Sequence, residues 1–272
     1  MLKLSIITIN LNNASGLRKT IESVVSQSSR EFEYIVIDGG SIDGSIDVIK
    51  EFEDRITYWI SEPDNGIYHA MNKGIRAAQG EYCQFLNSGD WLYASDVIEK
   101  MINTLPDCSI YYGNMLKQMP DGTVFCDKSG QGLITMFTFY RGSLNHSPAL
   151  IKRSLFYKYG FYDENLKIVS DWKWYLISVG LNNESVIYID MVVTCFNMSG
   201  ISNSSPEIGK SERRAVLEEL IPKNILADYD LHWRKIDMMK RINHYKLTRW
   251  FVSFIERVLF KLEKWRFLNN DE

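Results

Sequence analysis

The stretch Leu4-Ser5-Ile6-Ile7-Thr8-Ile9-Asn10 is short, rich in β-branched residues and apolar without strict alternation. Such a run reads as a β-strand covered on both faces. Asn12–Ala14 breaks it, and Leu17, Ile21, Val24 and Val25 then recur at helical spacing. The same alternation continues. Tyr34–Ile37 is a second strand closed by Asp38-Gly39-Gly40, and Ser45–Phe52 a helix with Asp43 or Ser45 as its N-cap. Thr57–Ile60 is a third strand, Ile67–Ala78 a helix closed by Gly80, and Tyr82–Leu86 a fourth strand ending in Asn87-Ser88-Gly89-Asp90. Strands and helices alternating at this spacing predict an α/β fold with a mostly parallel central sheet flanked by helices.

Beyond residue 100 the pattern is looser. Ser109–Leu116 and Thr123–Cys126 read as a hairpin through Met119-Pro120-Asp121-Gly122. Ser154–Tyr159 and Asp171–Val179 read as helices, and Val186–Ile189 and Val192–Phe196 as strands. Gly200–Gly209 is a polar stretch without period, hence a loop, and from Lys210 the chain is helical almost to its end.

Composition sets bounds on function. The 272 residues are 45% hydrophobic and 24% charged, which suits a globular protein with room for one large domain and a tail. The net charge of -3 argues against a nucleic-acid binder. Charge is unevenly placed: residues 232–268 hold ten Lys/Arg against Asp237, Glu256 and Glu263, a balance of +7, and the remainder carries -10. Cys83, Cys108, Cys126 and Cys195 form no C-x-x-C pair. With no signal-like N-terminus and no spanning apolar run, the expected location is the cytoplasm.

Three of the first four strands end in polar clusters: Thr8 and Asn10, Asp38 to Ser41, and Asn87 to Asp90. In open α/β sheets ligands sit beyond the carboxyl ends of the strands. Each cluster alone is a turn with helix caps, but together they favour a nucleotide site. The turn after the first strand has no G-x-G-x-x-G, and the chain has no Walker-type loop. A diphosphate without such a cradle needs a metal, and a metal needs carboxylates.

The segments Ser5–Asn10, Ile37–Ser45, Asp64-Asn65-Gly66 with Ala70–Ile75, and Gly80-Glu81-Tyr82 with Phe85–Asp90 stand in the order and spacing of a known family. Over roughly residues 1–200 the chain resembles family 2 glycosyltransferases of the GT-A fold. The resemblance implies a catalytic domain over 1–205, with a nucleotide-binding half (1–100) and an acceptor half (101–205), and a helical C-terminal extension over 206–272. It implies a nucleotide site drawn from Thr8, Asn10, Asp38, Ser41, Asn72, Lys73, Asn87 and Ser88, with Asp38 accepting from the base's imide N–H. Asp90 would ligate Mg²⁺ or Mn²⁺, Asp171 would be the catalytic base, and His146 and Trp174 would lie beside donor or acceptor. Read locally, Asp171 is also a plain N-cap, His146 a structural hydrogen-bonder, and Trp172 and Trp174 core residues.

Departures refine this expectation. The family's D-x-D is here Asn87-Ser88-Gly89, so Asp90 is the lone carboxylate of its cluster, and Met71 stands where many members carry Arg. The processive Q-x-x-R-W is absent, which implies one sugar per encounter. The expected reaction is inverting transfer from a nucleotide-sugar, UDP-linked, to an acceptor hydroxyl on a lipid-linked or growing polysaccharide. A nucleotidyltransferase and a non-catalytic nucleotide-sugar-binding module are the alternatives; the first lacks its Gly/Arg/Lys-rich loop. From Lys246 the tail repeats Leu247, Trp250, Phe251, Phe254, Val258, Leu259, Leu262 and Trp265 on one helical face. That face either lies on a membrane surface or packs on protein, a second copy of the chain included.

Overall fold

In a computed structural model of the chain, residues 3–104, 107–119, 121–128, 131–197, 206–244 and 246–269 are described. The chain divides into two compact units, Met1–Val216 and Leu217–Glu272.

In the first unit β1 (Leu4–Asn10) is buried along its whole length, as a central strand must be. The helix α1 (Ala14–Val25) follows, with Asn13 as N-cap accepting from the Gly16 N–H at 3.1 Å. Next come β2 (Phe32–Asp38), α2 (Ser45–Glu51), β3 (Tyr58–Ser61), α3 (Ile67–Ala77) and β4 (Tyr82–Phe85). The cap of α2 differs from expectation. Gly44 holds that position at φ 93°, and the Asp43 carboxylate instead takes the Ala14 N–H at 2.8 Å and both donors of Ser45. A glycine tolerates this left-handed backbone without a Cβ penalty.

The rest of this unit adds β5 (Trp91–Leu92), α4 (Val97–Thr104), β6 (Ile110–Gln118), β7 (Val124–Asp127), α5 (Met136–Arg141), β8 (Ala149–Lys152), α6 (Ser154–Tyr159), α7 (Ser170–Tyr175) and β9 (Val186–Asn197). The sheet order is β3-β2-β1-β4-β8-β6-β9-β5, with β7 hairpinned onto β6. Pairing is parallel through β3, β2, β1 and β4, while β8 runs antiparallel to both β4 and β6. The expected parallel sheet thus describes β1 to β4, and the remainder is mixed. The two strands expected between 186 and 196 are one, β9, whose register against β6 shifts around Asn114. The β6–β7 turn closes through Met119 N–H to Thr123 at 2.8 Å; Pro120 lies outside the described residues. So do residues 200–205 of the expected 200–209 loop, while Pro206 already opens α8 (Pro206–Leu220). A proline suits a first helical position, where its missing N–H costs nothing.

α3 packs on β1 and β2. A Cβ on Gly74 would collide with the Cγ2 of Ile7, so only glycine allows the approach. The second unit contains α9 (Lys223–His244) and α10 (Lys246–Asn269). No helix among the described residues is long and apolar enough to cross a membrane.

Candidate active site

The parallel strands deliver three clusters to one sheet edge. At the end of β2, Asp38 is fully buried and accepts Asn10 Nδ2 at 2.7 Å, the Ser41 N–H at 2.9 Å, Ser41 Oγ at 2.6 Å and Ser61 Oγ at 2.6 Å. Burial opposes its charge, but the donors of Ser41, Ser61 and Asn10 outweigh that and hold the carboxyl below its ordinary range. A carboxylate offers about four lone-pair sites. All four are filled here, which corrects the expectation that Asp38 itself receives the base N–H. Asn10 is different. Its Nδ2 is pinned by Asp38 and Ser41, and its buried Oδ1 has no hydrogen-bond partner. Thr8 is buried and accepts the Tyr34 hydroxyl at 3.0 Å, while Ser41 Oγ also takes the Asn12 N–H at 2.7 Å.

α3 places Asn72 and Lys73 elsewhere than expected. Asn72 spends its amide on the chain opposite, donating to the Tyr162 carbonyl at 2.9 Å and Glu164 at 2.8 Å and accepting the Tyr162 N–H at 3.0 Å. It is a buried cross-brace with nothing left for a nucleotide. Lys73 is held between Asp64 at 2.5 Å and Glu62 at 2.7 Å. These partners raise its pKa against the effect of burial and leave no uncompensated charge for a phosphate. His69 joins the same group through Asp64 at 3.1 Å.

At the end of β4, Ser88 is bound to the Asn13 amide through its carbonyl at 3.1 Å. Asp90 is buried, and its carboxylate accepts the Asn197 N–H at 3.0 Å. Burial pushes its pKa up to about 7, with Asn197 and the nearby Lys19 ammonium acting in the opposite sense. Lys19, whose Nζ lies 3.0 Å from the Trp91 ring centroid, had no signal in the sequence. The Asn87 side-chain oxygen is buried without a partner. No group of three or more His, Cys, Asp or Glu gathers as a metal site among the described residues. Asp90 and Asn87 are nonetheless two hard oxygen donors on one turn. Mg²⁺-like ions are commonly held by one or two carboxylates with substrate phosphates and water completing the shell. The donor set fits that pattern.

Asp171 lies close enough to His146 for its charge to act on the imidazole. Asp171 is half-buried in the first turn of α7, behind Val169 as N-cap, and accepts the Tyr68 hydroxyl at 3.0 Å. His146 stacks on Phe85 with centroids 4.9 Å apart and meets the Tyr162 hydroxyl at 2.8 Å. Burial lowers the pKa of His146, and the Asp171 charge counters this only in part. Its imidazole is therefore neutral at pH 7. Trp174 corrects the expectation of a sugar platform. It is 3% exposed, packs on Phe156 at 4.7 Å and gives its indole N–H to Gly160 at 2.9 Å. Trp172 is likewise core, with its N–H on the Phe139 carbonyl at 2.8 Å.

A sheet that is parallel through β1 to β4 and mixed beyond, with an oxygen-rich turn after β4, is the GT-A fold of a glycosyltransferase. The profile described as "Glycosyl transferase family 2" matches residues 5–137. A glycosyltransferase of Mycobacterium tuberculosis is 33% identical over 207 residues, 73% of this chain and 76% of that protein. A "PGL/p-HBAD biosynthesis glycosyltransferase" of the same organism is 26% identical over 209 residues, 74% of this chain and 79% of its own. Among solved structures, S. aureus TarS 1-349 in complex with UDP-GlcNAc superposes with TM-score 0.65 at 17% identity, covering 79% of this chain and 64% of that one. Against another TarS structure the chain spans 39% of the length. A mannosyltransferase of Pyrobaculum calidifontis in complex with GDP-Man and Mn²⁺ gives TM-score 0.57 at 13% identity, over 92% and 83% of the two chains. The chain belongs to glycosyltransferase family 2, and it is an enzyme of that class.

Proposed function

We propose that the chain is an inverting, metal-assisted transferase that moves one sugar from a UDP-linked donor to the hydroxyl of a lipid-linked or growing saccharide. The observation that carries this reading is the pairing of an oxygen-donor turn, Asn87 with Asp90, and a separate acceptor-side carboxylate, Asp171. The UDP-GlcNAc bound by TarS and the Mn²⁺ bound by the mannosyltransferase support the donor and ion classes. Residues 1–100 serve the nucleotide, 101–205 the acceptor, and 206–272 form the extension. Four free cysteines suit the reducing cytoplasm.

Asn10 offers its unpartnered Oδ1 to the imide N–H of uracil, while Asp38 and Ser41 fix the amide's orientation. Asp90 and Asn87 would hold the divalent ion, whose charge stabilises the departing diphosphate. Asp171 accepts the proton of the acceptor hydroxyl as its oxygen bonds to the anomeric carbon and the bond to the diphosphate breaks. Attack from the face opposite the leaving group inverts the centre. Neutral His146 supplies a hydrogen bond beside this carboxylate without adding charge.

Asp171→Asn tests the reading. Turnover with Mn²⁺ should fall by about 10²–10⁴, the usual contribution of general-base catalysis, while UDP binding persists. EDTA should silence the wild type. A variant retaining more than roughly a tenth of wild-type turnover, far above that range, moves the base elsewhere, and full activity in EDTA removes the metal.

A further inference from the structure

Tyr68 is buried on α3, a hundred and three positions from Asp171 in sequence. Its hydroxyl oxygen lies 2.6 Å from the Ile168 carbonyl and 3.0 Å from Asp171 Oδ1. A phenol carries one proton, so it donates to one of these acceptors at a time. We propose that Tyr68 is a positioning residue for Asp171, holding its carboxylate for the acceptor hydroxyl and releasing it when it is protonated; this rests on Asp171 being the base.

With Asp171 ionised, the charge draws the phenol proton to Oδ1. That contact fixes the plane of the carboxylate and leaves Oδ2 for the incoming hydroxyl. Once Oδ2 has taken the acceptor's proton, the charge is gone and the phenol proton turns to the Ile168 carbonyl. Neither stage strands a buried donor, which would otherwise cost about 1–3 kcal/mol. Burial and the Asp171 charge keep the phenol well above its ordinary pKa, so Tyr68 acts only as a donor.

The second acceptor is itself held in place. Glu212 on α8 accepts the backbone N–H groups of Lys167 at 2.7 Å and Ile168 at 3.0 Å. Next to it Arg213 donates to the Gly142 carbonyl at 3.1 Å, with its guanidinium 4.7 Å from the Trp172 ring centroid. The loop before Asp171 is thus gripped from α8 on one side and from α3 on the other. α3 is also braced to Tyr162 by Asn72, so its aim at Asp171 does not depend on the phenol alone.

Tyr68→Phe removes one oxygen and keeps the ring. The assay is UDP release, with Mn²⁺, from whichever of UDP-glucose, UDP-galactose and UDP-N-acetylglucosamine the wild type turns over fastest. We expect kcat to fall at least about tenfold, as for loss of a hydrogen bond to a charged group, with the Kd for UDP unchanged. In an Asp171→Asn background the same substitution should have no further effect, because the two residues act as a unit. Glu212→Gln should lower kcat in the same direction, again with unchanged UDP affinity, and it probes the grip on the loop with the phenol intact. Wild-type kcat in Tyr68→Phe, beside a dead Asp171→Asn, overturns the role of Tyr68 and leaves the base in place. An equal loss in both backgrounds overturns it too, since Tyr68 would then act independently. An active Asp171→Asn removes the base and this role with it.

Discussion

A buried carboxylate that accepts four donors is an organising centre, and Asp38 is the clearest one in the nucleotide half. It ties the ends of β1, β2 and β3 together through Asn10, Ser41 and Ser61. Asp38→Asn should be costly because the amide replaces an acceptor with a donor. The Ser41 N–H, unlike a hydroxyl, has no other direction in which to point. A loss on the order of 3 kcal/mol is expected from stranding donors beside a former charge. The pH dependence has a fixed sign. The folded carboxyl titrates below its unfolded value of about 3.9, so its contribution is present above that value and is lost as pH falls through the folded one. Urea unfolding of wild type and variant should therefore differ most near neutrality and converge in acid. Equal stabilities at pH 7 would mean that the four donors are satisfied without the charge.

α3 joins the nucleotide half to the acceptor half, and its fit against the sheet makes a second prediction. Gly74→Ala supplies a better helix former, worth about 1 kcal/mol in an exposed helix. Here the new methyl meets the branched side chain of Ile7, itself wholly buried on a central strand. Overpacking of this kind costs about 1–3 kcal/mol, so the melting temperature should fall. A rise would show that Ile7 gives way. The same element marks how far the sequence could be read. β1, β2 and β4 were legible because covered strands are mostly apolar runs, and the edge strand β3 because a polar, glycine-containing turn follows it. β5 spans two residues, and β8 follows a proline with no alternation, so neither carries a pattern. In the site, Asp90 and Asp171 rest on motif position in the sequence, and their roles are proposals. The occupation of Asn72 and Lys73 was not readable there, because their partners Tyr162 and Glu164 lie far along the chain and Glu62 and Asp64 look like ordinary loop acids. Tyr68 falls between Asp64-Asn65-Gly66 and Ala70–Ile75, and only the tertiary fold shows what its hydroxyl touches.

On the scale of the whole molecule, the charge asymmetry and the second unit ask for a surface. α10 spans Lys246–Asn269 and leaves Trp250, Phe251, Phe254, Ile255, Leu259 and Leu262 between 40% and 61% exposed. At 100° per residue these positions span one half of the helix; Arg249 falls on the other half, and Arg257 and Lys261 flank Trp250 at the edge of the apolar arc. Leu247 and Trp265, which share the apolar side by spacing, have side chains outside the described residues. The trait that decides between lipid and protein is charge: residues 232–268 carry +7 in a chain of net -3. An anionic leaflet attracts each basic residue by roughly 1 kcal/mol, screened by salt, and aromatic side chains favour the headgroup boundary. We therefore expect the full chain to float with vesicles containing phosphatidylglycerol at low salt and to be released at high salt. A chain ending after Met238 should remain unbound under both conditions. Vesicles of neutral lipid alone should recover little protein, because apolar burial without the charge is then the only attraction. If neither chain floats, and the full chain sediments as a dimer where the shortened one is monomeric, α10 covers its apolar side with a second copy and the membrane assignment fails.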